Sequence, residues 1–293
     1  MEGNKFIYYN YLPSLASHII DFPISRYAGS GIKPKHNYPD FRIDKIKQND
    51  IIFVKTDLLR SFLTQVYASI SCQFYLITGS SDYPIDDKYL EVLNHGKIIK
   101  WFGQNMTLSH ERAVKVPIGF EENERRVNGP ADGEGGDQLL LAQLHSKKKC
   151  FDDKANGLLI TYASDTHRSR RDINRIFSGK AFAKFIPKMR FEDYMLAIND
   201  YRYVLCPRGN GVDTHRFWEI LLMGSVPVVE KGGLSDLYEK FPCVIVESLS
   251  DLSEIKSMII NFSYDNVKAN NIEKYLRLDT FNAFFESETK AYL

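Results

Sequence analysis

The chain has 293 residues, a net charge of +1, and 44% hydrophobic and 13% aromatic residues. This supports two ordinary packed α/β domains, and so small a net charge gives no field that would gather nucleic acid, so no such partner is expected. No apolar run approaches the roughly 20 residues that span a bilayer.

Met1 to Asn10 lacks a basic segment leading into an apolar core, so no signal peptide is expected. Cys72, Cys150, Cys206 and Cys243 are scattered without a Cys-x-x-Cys pair. They read as buried thiols of a reduced, cytoplasmic protein rather than as a zinc site.

In chain order, Pro13, Pro23, Pro34 and Pro39 break up residues 11–48, which read as loops with one short helix at 14–20. Gly29 and Gly31 are followed by proline and lysine rather than a helix pattern, so a surface loop is favoured there. Residues 51–54 form a buried strand, Thr56 and Asp57 cap a helix carrying Leu59, Phe62 and Leu63, and 74–77 form the second strand. Ligands of open α/β sheets gather at the carboxyl ends of strands. Asp82, just past that second strand, is therefore a candidate base; the plainer alternative is a turn aspartate capping 86–94. After a strand at 98–102, Gln104 and Asn105 either bind sugar hydroxyls or close a turn. A strand at 114–118 leads to Glu121, the rival base. Residues 124–136 are polar and glycine-rich and read as an exposed loop, followed by a helix at 138–149. The domain boundary is expected near residue 150, giving domains 1–150 and 151–293.

The second half opens with a strand at 157–162 and a strand-to-helix junction holding His167, Arg168, Arg170 and Arg171. Its centre is residues 201–230, which read strand, glycine loop, helix, strand. Gly209 and Gly211 let backbone N–H groups approach an anion. Asp213 or Thr214 caps the helix, whose positive end faces the same spot. Arg208 adds a fork matching two phosphate oxygens, each charge-assisted bond contributing roughly 1.5–3 kcal/mol. His215 either adds a hydrogen bond to the anion or caps the first turn, and Arg216 and Glu219 lie beside it. Gly224 stops the helix, and strands at 226–229 and 243–246 follow, with helices at 251–261, 266–278 and 280–292. Phe281, Phe284 and Phe285 form a stripe that reads as core packing.

The run PRGNGVDTHRFWE, then LLMGSVPVV, resembles the donor-binding motif of exostosin-like glycosyltransferases, including short bacterial and viral members. A weaker resemblance covers 74–120, in LITGSSDYPID, KWFGQN and KVPIGF. It implies that Arg208, Gly209, Asn210 and Gly211 hold the diphosphate of a sugar nucleotide and that Glu219 holds the ribose. An arginine from the earlier junction reaches the donor phosphates, with Arg171 the first choice and Arg168 next. The expectation of no signal peptide departs from the eukaryotic members, which the resemblance would place in the Golgi behind a membrane anchor.

The expectation that follows is a GT-B-like α/β fold, two Rossmann-like domains facing a central cleft, with the last helix returning to the first domain. The activity is inverting transfer from a nucleotide diphosphate sugar, a uridine diphosphate sugar by resemblance, to a glycan hydroxyl. The donor side is Arg168, Arg171, Arg208, Gly209, Asn210, Gly211, Asp213, Thr214, His215, Arg216 and Glu219, and the acceptor side is Gln104 and Asn105. No Asp-x-Asp motif occurs in a plausible metal-binding loop, so no metal or cofactor is expected. No Gly-x-x-x-x-Gly-Lys-Ser/Thr stretch supports a P-loop kinase. The alternative is a sugar-nucleotide or glycan-binding protein without turnover. The location expected is cytoplasmic, in a host cell if the source is a virus.

Overall fold

The computed structural model describes residues 5–9, 11–21, 41–121, 138–187 and 189–290. The glycine loop at 29–31 and the polar loop at 124–136 lie outside the described residues. The chain divides into two compact units. One comprises Met1–Tyr8 with Ile118–Phe284, the other Tyr9–Pro117 with Phe285–Leu293.

The N-terminal unit is a parallel sheet in the order β1 (His18–Ile20), β2 (Ile51–Lys55), β3 (Phe74–Gly79), β4 (Ile98–Gly103), β5 (Ala113–Lys115). A parallel strand covered on both faces reads as a continuous apolar run, and every residue of β3 is buried. Helices α1 (Leu59–Gln65) and α2 (Leu90–Asn94) place Leu59, Phe62 and Leu93 in the core with Ile52, Leu76 and Trp101. The helix expected at 14–20 is instead a 3-10 turn at Leu12–Leu15 followed by edge strand β1. Pro13 fits the first turn of the 3-10 helix, and His18–Ile20 finds a ladder partner in β2 that local sequence does not reveal. Successive strands lie side by side throughout, so the direction of winding never reverses.

The C-terminal unit differs in this respect. Its parallel sheet runs β10 (Val244–Val246), β9 (Val226–Glu230), β8 (Tyr201–Leu205), β6 (Ala155–Ile160), β7 (Ala183–Phe185). Numbered within the unit this is the doubly wound order 2-1-3-4-5, whose winding reverses between β6 and β8. Helix α3 (Gln138–Ser146) precedes the sheet, and α4 (Arg168–Phe177) joins β6 to β7. Next in order come α5 (Phe191–Asn199), α6 (His215–Leu222) and α7 (Ser235–Tyr238). The last three are α8 (Leu252–Ile260), α9 (Asn266–Leu276) and α10 (Leu278–Lys290). Right-handed crossovers then put α4 on one face of the sheet and α5 and α6, which pack together, on the other.

The division falls at Pro117 and Ile118 rather than near residue 150. Helix α3 belongs to the C-terminal unit because its Gln138 amide brackets the backbone of Phe6 and its His145 Nδ1 bonds Leu222 O at 2.8 Å. Helix α10 is shared. Phe281 is buried in the C-terminal unit, whereas Phe285 packs 4.7 Å from Phe102 and Tyr75 Oη donates to Thr289 O at 2.7 Å in the other. The cysteines are not uniformly buried: Cys206 is enclosed but Cys150 is exposed. No helix among the described residues is long and apolar enough to cross a membrane.

One buried cation ties the lower edge of the C-terminal sheet. Lys154, 3% exposed, donates to Asn199 O at 2.8 Å, Asn199 Oδ1 at 2.9 Å and Met223 O at 2.9 Å. Asn199 ends α5 and Met223 follows α6, so the ammonium sits on the negative ends of two helix dipoles. Burial, and then Lys149, draw its pKa down to about 7 from 10.5. The unfolded chain therefore holds this proton up to a higher pH than the native state, and stability should rise between pH 7 and 10. Lys154→Met should erase that rise in urea melts and cost roughly 2 kcal/mol at pH 9, because three acceptors lose their donor. A variant with the same slope and midpoint would contradict this.

Candidate anion-binding site

At an α/β switch point the loops after the two flanking strands diverge to opposite faces and leave a crevice. Here those loops begin at Thr161 after β6 and at Cys206 after β8. Pro207 ends β8, because it lacks the N–H needed to continue the ladder, and Arg208 and Asn210 follow at the surface. Arg208 is exposed, its guanidinium reaching no further than Gly209 O and Asn210 O, at 3.5 and 3.2 Å. Gly209 is enclosed, and a Cβ there would lie 3.2 Å from Arg170 Nη2, so a side chain would press on that guanidinium.

Arg170 is the residue that builds the crevice. It is 5% exposed, on the inner face of α4 with Ile173 and Phe177. Its Nε donates to Arg208 O at 2.8 Å, Nη2 to Pro207 O at 3.1 Å and Nη1 to Ala163 O at 3.0 Å. One planar fork thus pins both diverging loops. Arg168 and Arg171, expected from the resemblance to reach the donor, are exposed on α4, and the arginine at the cradle is the one between them. Helical spacing carried the signal, since 170, 173 and 177 share a face.

Arg216 enters from α6, its Nη1 donating to Thr161 O, and its Nε is buried with no hydrogen-bond partner. Arg170 and Arg216 flank the Tyr162 ring, with guanidinium carbons 5.2 and 5.5 Å from its centroid. Among the described residues no carboxylate pairs with Arg170, Arg208 or Arg216. Burial and then the neighbouring Arg216 charge draw Arg170 down to about 10. Burial, then Arg208, Arg168 and Arg170, likewise lower the pKa of His167, whose side chain caps α4 by accepting from Ser169 N. The arginines lack an ion-pair partner among the described residues, although buried Glu219 and Arg216 both meet Tyr194, and a cluster of unpaired cations favours a bound anion.

The other candidates are held by hydrogen bonds within the unit. Asp213 is 3% exposed beneath the cradle and does not cap α6. Its oxygens accept from Ile118 N at 3.0 Å, Thr214 N at 2.8 Å, Trp218 Nε1 at 3.0 Å and Tyr238 Oη at 3.0 Å. Burial pushes its carboxyl up to about 6 against those four donors. Thr214 occupies the N-cap position without a side-chain cap bond; its hydroxyl lies 3.5 Å from Cys206 Sγ. Glu219 is 5% exposed and accepts from Tyr194 Oη at 2.9 Å. His215 Nδ1 bonds Gly119 O at 2.7 Å, and its Nε2 lies 3.4 Å from Glu121 Oε2. Gly119 has φ +67°, and a Cβ there would meet Ile7 O at 2.4 Å, so only glycine places that carbonyl on the imidazole.

In the N-terminal unit, Gln104 and Asn105 are 1% and 2% exposed. Gln104 joins Ser80 N to Tyr9 O, and Asn105 Nδ2 donates to Ser81 O at 2.9 Å. This is turn chemistry rather than an acceptor surface, and Asn105 adopts φ 52°, which asparagine tolerates. Asp82 is exposed after β3, two residues beyond Ser80, which holds φ 54° and a buried hydroxyl with no hydrogen-bond partner. A positive φ and an orphaned hydroxyl thus sit together at the carboxyl end of β3. Among the described residues, no group of three or more His, Cys, Asp or Glu is arranged to hold a metal ion.

Fold and site together define an α/β protein whose C-terminal unit carries an arginine-lined crevice at its switch point. No protein-family model matches the chain, and no curated protein matches it. Among solved structures, an α1,3-fucosyltransferase has 11% identity over 86% of this chain and 79% of its own, with a TM-score of 0.42. A UDP-forming α,α-trehalose-phosphate synthase from Burkholderia vietnamiensis has 8% identity over 85% and 72%, with a TM-score of 0.40. The catalytic domain of starch synthase IV from Arabidopsis thaliana, bound to ADP and acarbose, has 11% identity over 84% and 73%, with a TM-score of 0.36. Likenesses this distant say nothing of the chemistry of this chain.

Proposed function

We propose that the protein is a glycosyltransferase of the GT-B type that binds the diphosphate of a sugar nucleotide in the crevice between β6 and β8. The observation that supports this most is the arginine group at the switch point, which has no ion-pair partner among the described residues: Arg170 fixes the loops, and Arg208 and Arg216 supply charge. The exostosin-like sequence over 201–246 points the same way and makes a uridine diphosphate sugar the first donor to test. In transfer, the bond from the anomeric carbon to the diphosphate breaks as an acceptor oxygen attacks. Negative charge grows on the leaving group, and in this reading Arg208, Arg216 and the glycine-loop N–H groups meet it. Attack from the opposite side inverts the anomeric centre. A carboxylate takes the acceptor proton. Asp82 and Glu121 are the candidates, and the His215 contact makes Glu121 the one already tied to a donor-site residue. Cationic side chains stand where a metal would otherwise neutralise the diphosphate, so the proposed transfer is metal-independent.

The test is release of free nucleotide from a panel of sugar nucleotides, with and without a glycan acceptor, in EDTA. Release only with acceptor is expected. Arg208→Ala should weaken donor binding and lower turnover about a hundredfold, the scale of losing one leaving-group contact. Nucleotide binding without release under any acceptor would favour a binding protein, and loss in EDTA restored by manganese would overturn the metal-independent reading.

A further inference from the structure

A carbonyl oxygen can only accept a hydrogen bond, so an imidazole nitrogen bonded to one carries the proton. His215 Nδ1 lies 2.7 Å from Gly119 O. Nδ1 is therefore the protonated nitrogen, and Nε2 turns toward Glu121, whose Oε2 is 3.4 Å away. A neutral ring would set the Nε2 lone pair against a carboxylate. One added proton removes that conflict and leaves an imidazolium beside a carboxylate. The two side chains can thus take up a single proton between them.

The backbone holds this pair in place. Phe120 is fully buried, its N–H donates to Ile7 O at 3.0 Å, and its ring meets Phe6 edge-on at 5.5 Å. Gly119 adopts φ +67° against the same Ile7 carbonyl. This fixes the direction of Gly119 O and the exit of Glu121 two residues on. From the other side, His215 begins α6 and Arg216 follows it. His215 reaches Gly119 and Glu121, while Arg216 reaches Thr161 O at the switch-point crevice. One helical turn presents both the pair and a crevice arginine, and all these residues belong to the same compact unit. The side chains of His215 and Glu121 are 21% and 19% exposed, so a substrate hydroxyl can approach them. Asp82, the other candidate base, makes no ion pair among the described residues.

We infer that Glu121 and His215 act as one base, in which Glu121 takes the acceptor proton and His215 Nε2 stores it. The inference rests on the glycosyltransferase reading above. As the acceptor O–H bond breaks, its oxygen bonds the anomeric carbon, and the bond from that carbon to the diphosphate breaks. The proton crosses Glu121 and comes to rest on Nε2, leaving an imidazolium–carboxylate pair. Release of that proton to water restores the starting state. An imidazole holds a proton near neutral pH more readily than a carboxylate does, and a base matched to the working pH is the more effective one. Glu121 is the catalytic residue of the pair, and His215 is the positioning residue that acts through it.

The test follows transfer and donor binding separately, with the donor and acceptor that give nucleotide release in the panel above. Glu121→Gln and His215→Gln should each lower kcat about a hundredfold or more, the scale of losing a general base, and leave donor affinity by calorimetry within about twofold. Glutamine keeps a polar group in place of the imidazole but stores no proton. Free imidazole should restore part of the transfer rate to His215→Ala and none to Glu121→Gln, a response that a packing role for His215 would not give. The inference is overturned if His215→Gln turns over within about threefold of the wild-type protein, if imidazole leaves His215→Ala unchanged, or if donor affinity falls as far as turnover in either glutamine variant. Loss of turnover in Asp82→Asn with Glu121→Gln active would put the base at Asp82 and overturn it as well. The glycosyltransferase reading survives each of those results. Release from no sugar nucleotide by the wild-type protein would remove that reading and this inference with it.

Discussion

Arg170→Ala should abolish measurable nucleotide binding while leaving a folded but weakened protein. The side chain holds three carbonyls on two loops that otherwise diverge. Its loss frees Pro207 and Arg208 from Ala163, and the loop proposed to hold the diphosphate loses its brace. A displacement of about 1 Å at such a site can cost on the order of a hundredfold. Urea denaturation should show roughly 2–4 kcal/mol less stability, since buried acceptors lose their donors. Arg170→Lys separates charge from position. One ammonium keeps the cation but lacks the planar fork that reaches three oxygens, so binding should recover little. Near-wild-type affinity in Arg170→Ala, measured by calorimetry, would remove Arg170 from its bracing role.

Asp213→Ala should be the most destabilising single change in the C-terminal unit, at roughly 3–5 kcal/mol. Four donors from separate parts of the chain converge on one carboxylate: the Ile118 and Thr214 backbones, the Trp218 indole and the Tyr238 phenol. Alanine would leave all four buried and unmatched. The sequence puts Asp213 on the donor side as a possible helix cap, but its carboxylate is buried and held by these four donors instead. It ties the chain entering this unit at Ile118 to the start of α6, and so fixes the helix end that carries His215 and Arg216. The acid limb of the stability curve supplies a second readout. The folded pKa of about 6 lies above the ordinary 3.8. The native state therefore keeps the proton that the unfolded chain has released, and this group's contribution to stability falls as pH rises from about 4 to 6. That slope should be missing in the variant. An Asp213→Ala protein as stable as wild type would show that the convergence contributes nothing.

Much of the fold was legible because its strands are parallel and covered on both faces. Phe74–Gly79 and Val226–Glu230 are apolar runs too short for helices and bounded by glycine or charge. The glycine loop after Cys206 and the stop at Gly224, which has φ +69°, are local features fixed by backbone sterics. These need only neighbours in the chain, and the sequence by itself determined them, together with the electropositive turn they make.

Other features depend on residues far apart in sequence. Strand order is one: the run of elements is consistent with either winding, and only pairing places β6 beside β8 and opens a crevice there. The choice of Arg170 over Arg168 and Arg171 is another, because the angle of α4 against the sheet decides which arginine meets the carbonyls of Pro207 and Arg208. Asp213, like Thr214, suits a cap by its place just before a helix. Only the arrival of Ile118, Trp218 and Tyr238 made it a hub. Hydrogen bonds are directional and short-ranged, so a side chain's role is settled by which partners the fold brings within about 3 Å of it.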